Sequence, residues 1–210
     1  MHYQVDHPLL THKMTILRNK NTNTKDFREV ASEITMLLAY EALKHVELEP
    51  KTVETPLCPY EGGAVAHDVV LVPILRAGVG MLQGVLNLIP DARVGFVGIY
   101  RDPATAKPIT YYEKLPEKLR DPLFFIIDPM LATGGSIVAT IDMIKKHGNG
   151  HKANKIKVIS ILSAPEGIAV VEKAHPDVEI YTGHIDEYLN DHKYIIPGLG
   201  DAGDRLFGTK

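Results

Sequence analysis

Phe124-Phe125-Ile126-Ile127-Asp128-Pro129-Met130-Leu131-Ala132-Thr133-Gly134-Gly135-Ser136 carries an apolar strand into a Thr-Gly-Gly-Ser turn, and the residues from Ser136 to His147 have the apolar spacing of a helix opening at that turn. Such a turn aims successive backbone N–H groups, two hydroxyls and a helix N-terminus at one point, which is what a phosphate needs. Asp128, at the strand's end, is placed to hold a sugar hydroxyl or a divalent cation. A plain helix-capping turn would need only Ser136, and a short Gly-rich turn by itself is weak evidence for a ligand. No Lys follows the glycines, which excludes the usual nucleotide P-loop, and no G-x-G-x-x-G follows a first strand, which excludes the dinucleotide fingerprint.

The same texture extends on both sides of this stretch. Residues 69–75, 94–100, 123–127 and 156–162 are short runs rich in Val, Ile and Phe, separated in part by helix-like stretches at 78–89, 136–147 and 166–175. Strands without polar alternation are buried on both faces, and their alternation with helices predicts an α/β chain with a central, mainly parallel sheet flanked by helices. A strand at 178–182 extends the sheet. Pro73 lacks a ladder donor, so an irregularity is expected in its strand. Upstream, Phe27, Val30, Ala31, Ile34, Leu37 and Leu38 recur at helical spacing over 24–44, with Asn23 or Thr24 as N-cap and a shorter helix at 8–18 before it. Residues 45–58 read as two short edge strands joined by a turn at Glu49-Pro50-Lys51. Residues 101–120 read as a protruding, mobile hairpin or lid, with a strand at 110–113. Residues 197–210 carry four glycines, a density expected to preclude helix or strand.

The 210 residues fit a single domain over 1–210, at about 150 residues per domain, and 45% hydrophobic content argues against disorder. A net charge of -3 lacks the basic excess of a nucleic-acid binder. One cysteine, Cys58, excludes an internal disulfide and fits a reducing compartment; it reads as structural. The N-terminus lacks a signal-peptide pattern and no apolar run could span a bilayer, so a cytoplasmic protein that needs no membrane is expected. The ten histidines are scattered without ligand spacing, so no protein-ligated metal is expected.

Four stretches together resemble the type I phosphoribosyltransferases, and among them the uracil-using branch. The 128–136 loop is similar to the family's phosphoribosyl-diphosphate loop. Pro73-Ile74-Leu75-Arg76-Ala77-Gly78 resembles its diphosphate loop, Gly98-Ile99-Tyr100-Arg101-Asp102 the start of its flexible loop, and residues 194–205 its base-binding segment. The four occur in the family's order and span nearly the whole chain. The resemblance implies the type I fold, with a small hood built from parts of 1–60 and 183–210. It also implies transfer of phosphoribose from 5-phospho-α-D-ribose 1-diphosphate to uracil, giving UMP and diphosphate for pyrimidine salvage.

Purine and orotate transferases of this fold usually carry two adjacent acidic residues at the loop start and another just before the Thr-Gly. Here those positions are Asp128-Pro129 and Ala132. A carboxylate at the latter could bond or protonate a purine ring nitrogen; Ala132 cannot, which argues against a purine. Arg76 directly follows a buried strand and so belongs on the rim where open α/β sheets bind ligands, where a guanidinium clamps a diphosphate and stabilises it as leaving group. A solvated surface arginine is the competing reading, stronger for Arg101 in its charged surroundings. The resemblance assigns Arg76, Asp128 and Asp201 to catalysis. Phosphoribosyl diphosphate falls to Arg76, Arg101, Asp128, Pro129, Met130, Leu131, Ala132, Thr133, Gly134, Gly135, Ser136 and Asp201, and uracil to Ile195, Gly200, Asp201 and Ala202. Uracil's acceptor–donor–acceptor edge can be read by backbone groups alone, which glycines allow to come close. Mg²⁺ is implied, bound mainly through the diphosphate, with GTP as an effector and a homodimer or homotetramer as the assembly. No side chain in these motifs stands out as the general base for uracil; Asp201 is the nearest candidate. A transferase for another base, or an RNA-binding regulator on the same fold, are the rival readings.

Overall fold

A computed structural model of the chain describes residues 1–101, 108–147 and 155–209, with the side chains of Arg101 and His147 left undescribed. In chain order the elements are β1 (His2–Gln4), α1 (Pro8–Arg18), α2 (Thr24–Ala42), β2 (Leu48–Glu54), β3 (Pro59–Val65), β4 (Val69–Leu75), α3 (Val79–Leu86), β5 (Arg93–Val94), β6 (Phe96–Arg101) and β7 (Pro108–Lys114). They continue with β8 (Leu123–Ile127), β9 (Met130–Leu131), α4 (Gly135–His147), β10 (Ile156–Ser163), α5 (Pro165–Ala174), β11 (Glu179–Ile185), β12 (Tyr188–Leu189), β13 (Ile195–Ile196) and α6 (Ala202–Phe207).

Among the described residues a nine-stranded sheet runs in the order β1-β11-β10-β8-β4-β6-β7, with β5 also on β4 and β9 on β10. Every pairing is parallel except β6 with β7. The central strands have two apolar faces because both are covered. Leu71, Phe125, Ile127, Ile159 and Tyr181 face α1, α2 and α3, while the alternate residues Val70, Val72, Phe124, Ile126, Val158 and Ile180 face α4 and α5. The Asn23 side chain accepts from the Asp26 amide at 2.9 Å and starts α2, as its position suggests.

The irregularity expected at Pro73 is absent from its own strand, which runs unbroken from Val69 to Leu75 in register with β8; the break falls in the neighbouring strand. β5 pairs with β4 at Val70–Leu71 and β6 pairs at Ile74–Leu75, so the apolar run over 94–100 is broken at Gly95, one position before the residue in register with Pro73.

Two expectations are corrected. Glu49-Pro50-Lys51 is no turn: β2 runs straight through it, Pro50 pairing with Gly63, and the hairpin with β3 is a separate two-stranded sheet. The chain turns at 55–58, where the Thr55 hydroxyl accepts from the amides of Leu57 and Cys58 and donates to the Cys58 carbonyl. Cys58 is exposed in that turn and takes no part in the core. Nor do the C-terminal glycines preclude regular structure. Gly198 and Gly200 precede α6, Gly203 lies within it, and the helix runs from its N-cap Asp201 to Gly208, at φ +65°, as its left-handed C-cap.

Candidate functional site

The site is built at the carboxyl ends of β4, β8 and β10, where an open parallel sheet presents its loops. β8 delivers Asp128 to this edge. Its amide donates to the Ile159 carbonyl at 3.2 Å, and its carbonyl accepts from the Ser160 hydroxyl at 2.7 Å. The chain beyond it is tied to β10 and the residue following it, the Pro129 carbonyl accepting from Leu162 N (3.0 Å) and the Leu131 carbonyl from Ala164 N (2.9 Å). The turn at 128–136 therefore hangs from a buried strand.

Gly134 adopts φ +78°, and a Cβ there would stand 2.7 Å from the Gly167 carbonyl at the start of α5. Gly167 in turn presses on the Ala132 carbonyl, closer than any side chain would permit. The turn feeds α4, whose first amides have no intrahelical acceptor. Asp128, Met130, Leu131, Ala132, Thr133, Gly134, Ser136 and Ile137 line a cup of about 90 Å³, the space of roughly three waters at ~30 Å³ each, which suits a single phosphoryl group.

The Arg76 turn abuts this loop. Gly78 closes it by donating to the Ile74 carbonyl at 2.9 Å, and a Cβ on Gly78 would collide with the carbonyl of Ile127, the residue before Asp128. The Leu75–Arg76 peptide is cis. The Arg76 side chain is 61% exposed, with Nη2 3.8 Å from Asp204 Oδ1, and so is reachable from solvent on the same rim as Asp128.

The third wall comes from the far end of the chain. β12 and β13 form a small antiparallel pair, Leu189 opposite Ile195 and Tyr188 opposite Ile196. After the cis Ile196–Pro197 bond, Gly198 (φ +64°) and Gly200 (φ +83°) turn the chain back toward the sheet. Asp201 Oδ1 accepts from Asp204 N at 2.9 Å, so one oxygen of this carboxylate starts α6. A cavity of about 330 Å³ opens between the walls, in the lower part of the ~300–1,000 Å³ range of small-molecule sites. Asp128, Met130 and Ala132 line one side, Ile195, Gly200, Asp201 and Ala202 the other, with Ala77 and Gly203 between them.

Residues 73–78, 128–136 and 195–202, far apart in sequence, thus converge. The Arg101 side chain and residues 102–107 lie outside the described residues. His192 and Lys193 also line the cavity; they sit in a turn organised by the Asn190 side chain, which accepts from the His192 and Tyr194 amides, and no motif marked them. Nor did the sequence point to Arg18 and Asp186. The Asp186 side chain is fully buried behind the 197–200 turn, with its oxygens 2.5 and 2.8 Å from the Arg18 guanidinium. Burial pushes its carboxyl up, but the Arg18 hydrogen bonds, the Gly198 amide and the nearby positive charge outweigh this and hold it below the ordinary aspartate value.

Known proteins match this arrangement. The family model for uracil phosphoribosyltransferase matches residues 4–209. The uracil phosphoribosyltransferase of Geobacillus kaustophilus is 54% identical over 209 residues, covering 99% of this chain and 98% of its own. That of Symbiobacterium thermophilum is 52% identical over 207 residues, covering 98% and 97%. The solved structure of the AQ2163 protein from Aquifex aeolicus superimposes with a TM-score of 0.91 at 40% identity, covering 100% of this chain and 99% of that one. The chain belongs to the uracil phosphoribosyltransferase family and has the type I phosphoribosyltransferase fold.

Proposed function

We propose that the protein transfers phosphoribose from 5-phospho-α-D-ribose 1-diphosphate to a ring nitrogen of uracil, producing UMP and diphosphate. The observation that carries this is the single cavity in which the phosphate-turn wall, Asp128, Met130 and Ala132, faces the backbone of Gly200–Ala202 across a space suited to a base and a ribose. The 5-phosphate occupies the cup formed by the turn at 133–136, and Asp128 orients the ribose hydroxyls at the cavity mouth. Arg76 balances charge on the departing diphosphate as the anomeric carbon gains oxocarbenium character. Uracil is read by backbone groups of the C-terminal wall, and Ala132 offers it a methyl where a carboxylate would suit a purine. Catalysis then rests on orientation and electrostatic stabilisation more than on a general base.

Mg²⁺ belongs to this reading as part of the substrate. Among the described residues no three His, Cys, Asp or Glu side chains gather, which suits an ion held mainly by diphosphate oxygens with Asp128 nearby; once bound it offsets the charge of the leaving group. Self-association is also proposed. The β2–β3 hairpin stands apart from the main sheet and exposes Leu48, Val53, Leu57 and Tyr60, and an isolated hairpin of this kind gains from being covered by a second copy. The resemblance alone suggests GTP as an allosteric activator. A cytoplasmic site of action fits a chain in which, among the described residues, no helix is long and apolar enough to cross a membrane.

The test is turnover of phosphoribosyl diphosphate with Mg²⁺ against uracil, orotate, hypoxanthine, xanthine and adenine, with and without GTP. UMP from uracil alone is the expected outcome. Turnover with a purine would overturn the account of base choice, and inactivity with every base would favour a non-catalytic role.

A further inference from the structure

We infer that Arg18 and Asp186 are positioning residues for uracil: acting through Gly198, they fix where the backbone of Gly200–Ala202 stands in the cavity. The inference rests on the proposed reading of the C-terminal wall as the base-binding surface.

A buried ion pair is weak evidence for stability, since desolvation offsets much of its attraction. This pair also holds something. Asp186 Oδ2 accepts from the Gly198 amide at 2.7 Å, and Arg18 Nη1 donates to the Gly198 carbonyl at 2.8 Å, so both backbone groups of one residue are gripped by the two partners. Gly198 is the pivot of the wall. Its φ of +64° and the closeness of the Ile195 carbonyl exclude a side chain there.

The next carbonyl, that of Leu199, is held by Arg205 Nη1 at 2.9 Å. The same guanidinium donates to the carbonyls of Leu17 (2.5 Å) and Asn19 (2.6 Å), on either side of Arg18, and lies over the Phe27 ring at 4.3 Å. Arg18 at the end of α1 and Arg205 in the last turn of α6 thus clasp residues 198–199 from opposite ends of the sequence. Gly200, immediately beyond, enters the cavity from a fixed point.

The clasp is also anchored to the other substrate wall. The Asp186 amide donates to the Ser163 carbonyl at 2.9 Å, and the adjoining Ala164 amide donates to the Leu131 carbonyl, inside the phosphate turn. The backbone at the end of β10, Ser163–Ala164, therefore bears on both walls, and the Asp186 carboxylate ties Gly198 to that anchored main chain. None of these groups lines the 330 Å³ cavity. Their action on the reaction is indirect, through the backbone that does.

The test compares Asp186→Asn and Arg18→Lys with Gly200→Ala, which alters the base wall directly, measuring kcat and both KM values beside the melting temperature. The expected result is a KM for uracil raised about tenfold or more in all three, with the KM for phosphoribosyl diphosphate changed less than about threefold. Arg18→Lys keeps the charge but loses the two-pronged grip, so it reports on the grip even if Asp186→Asn folds poorly. If the two clasp variants only lower the melting temperature, or shift both KM values together, while Gly200→Ala raises the KM for uracil, the pair is merely structural and the inference is overturned. If Gly200→Ala leaves the KM for uracil unchanged, the reading of the base wall fails, and the inference fails with it.

Discussion

Gly78 stands so close to the carbonyl of Ile127 that no side chain fits between them. This contact joins the turn bearing Arg76 to the strand that ends in Asp128, and it makes the rim of the site one rigid piece. In Gly78→Ala the added methyl must push β4 and β8 apart at their carboxyl ends, since the obstructing atoms are all backbone. Overpacking of this kind costs about 1–3 kcal/mol. The melting temperature should fall, and the KM for phosphoribosyl diphosphate should rise more than that for uracil, in steady-state assays of the folded variant.

Asp128 lines both the phosphate cup and the base cavity. Asp128→Asn keeps the shape but removes the charge that the proposed function assigns to the ribose hydroxyls. The expected outcome is a loss of at least about 100-fold in kcat/KM for phosphoribosyl diphosphate, in line with losing a charged hydrogen bond worth up to ~3 kcal/mol. Uracil binding, measured by calorimetry, should change far less. Unchanged kinetics would remove Asp128 from the site.

Ala132 lies on the same two surfaces. Ala132→Asp would place a carboxylate where the proposed function puts the pyrimidine edge, so uracil turnover should drop by at least about tenfold, roughly the ~1.4 kcal/mol of one unfavourable polar contact. Normal turnover of uracil by this variant would show that Ala132 does not set base choice.

Acid should loosen the Arg18–Asp186 clasp. The folded carboxyl titrates below its unfolded value, so the unfolded chain takes up the proton first as the pH falls. The stability it contributes is complete above the unfolded value of about 3.9 and disappears as the pH drops through the folded one. Asp121, Asp177, Glu172 and Glu179, each paired with a cation, shift in the same direction. Wild-type melting temperature should therefore decline below about pH 4, and Asp186→Asn, less stable at pH 7, should show a smaller further decline. Parallel curves for the two proteins would show that this carboxylate is not part of the acid response.

The elements legible from sequence were those whose signal is local. The apolar runs at 69–75 and 123–127 coincide with β4 and β8, and 8–18 with α1, because burial on two faces or on one helical stripe writes itself into consecutive residues. The strand-to-helix turn at 128–136 was legible for the same reason, since its strand and helix lie in consecutive residues. The β2–β3 turn went to the wrong Pro: Pro50 sits in a two-stranded hairpin whose neighbour tolerates it, whereas Thr55 makes the actual turn through its hydroxyl. α6 was hidden because glycines that cap a helix look the same in sequence as glycines that forbid one.

By itself, the sequence determined the parallel α/β layers, the glycine-rich turn between β8 and α4, the arginine that follows β4 and the glycine-rich composition of residues 197–210, all properties carried by contiguous residues. Only the tertiary structure decided that β1 closes the sheet edge beside β11, that Gly200 and Ala132 face each other across one cavity, and that Arg18 meets Asp186, 168 positions away. Contacts of that separation depend on where the sheet order brings the chain ends together, and no local periodicity or propensity encodes that order.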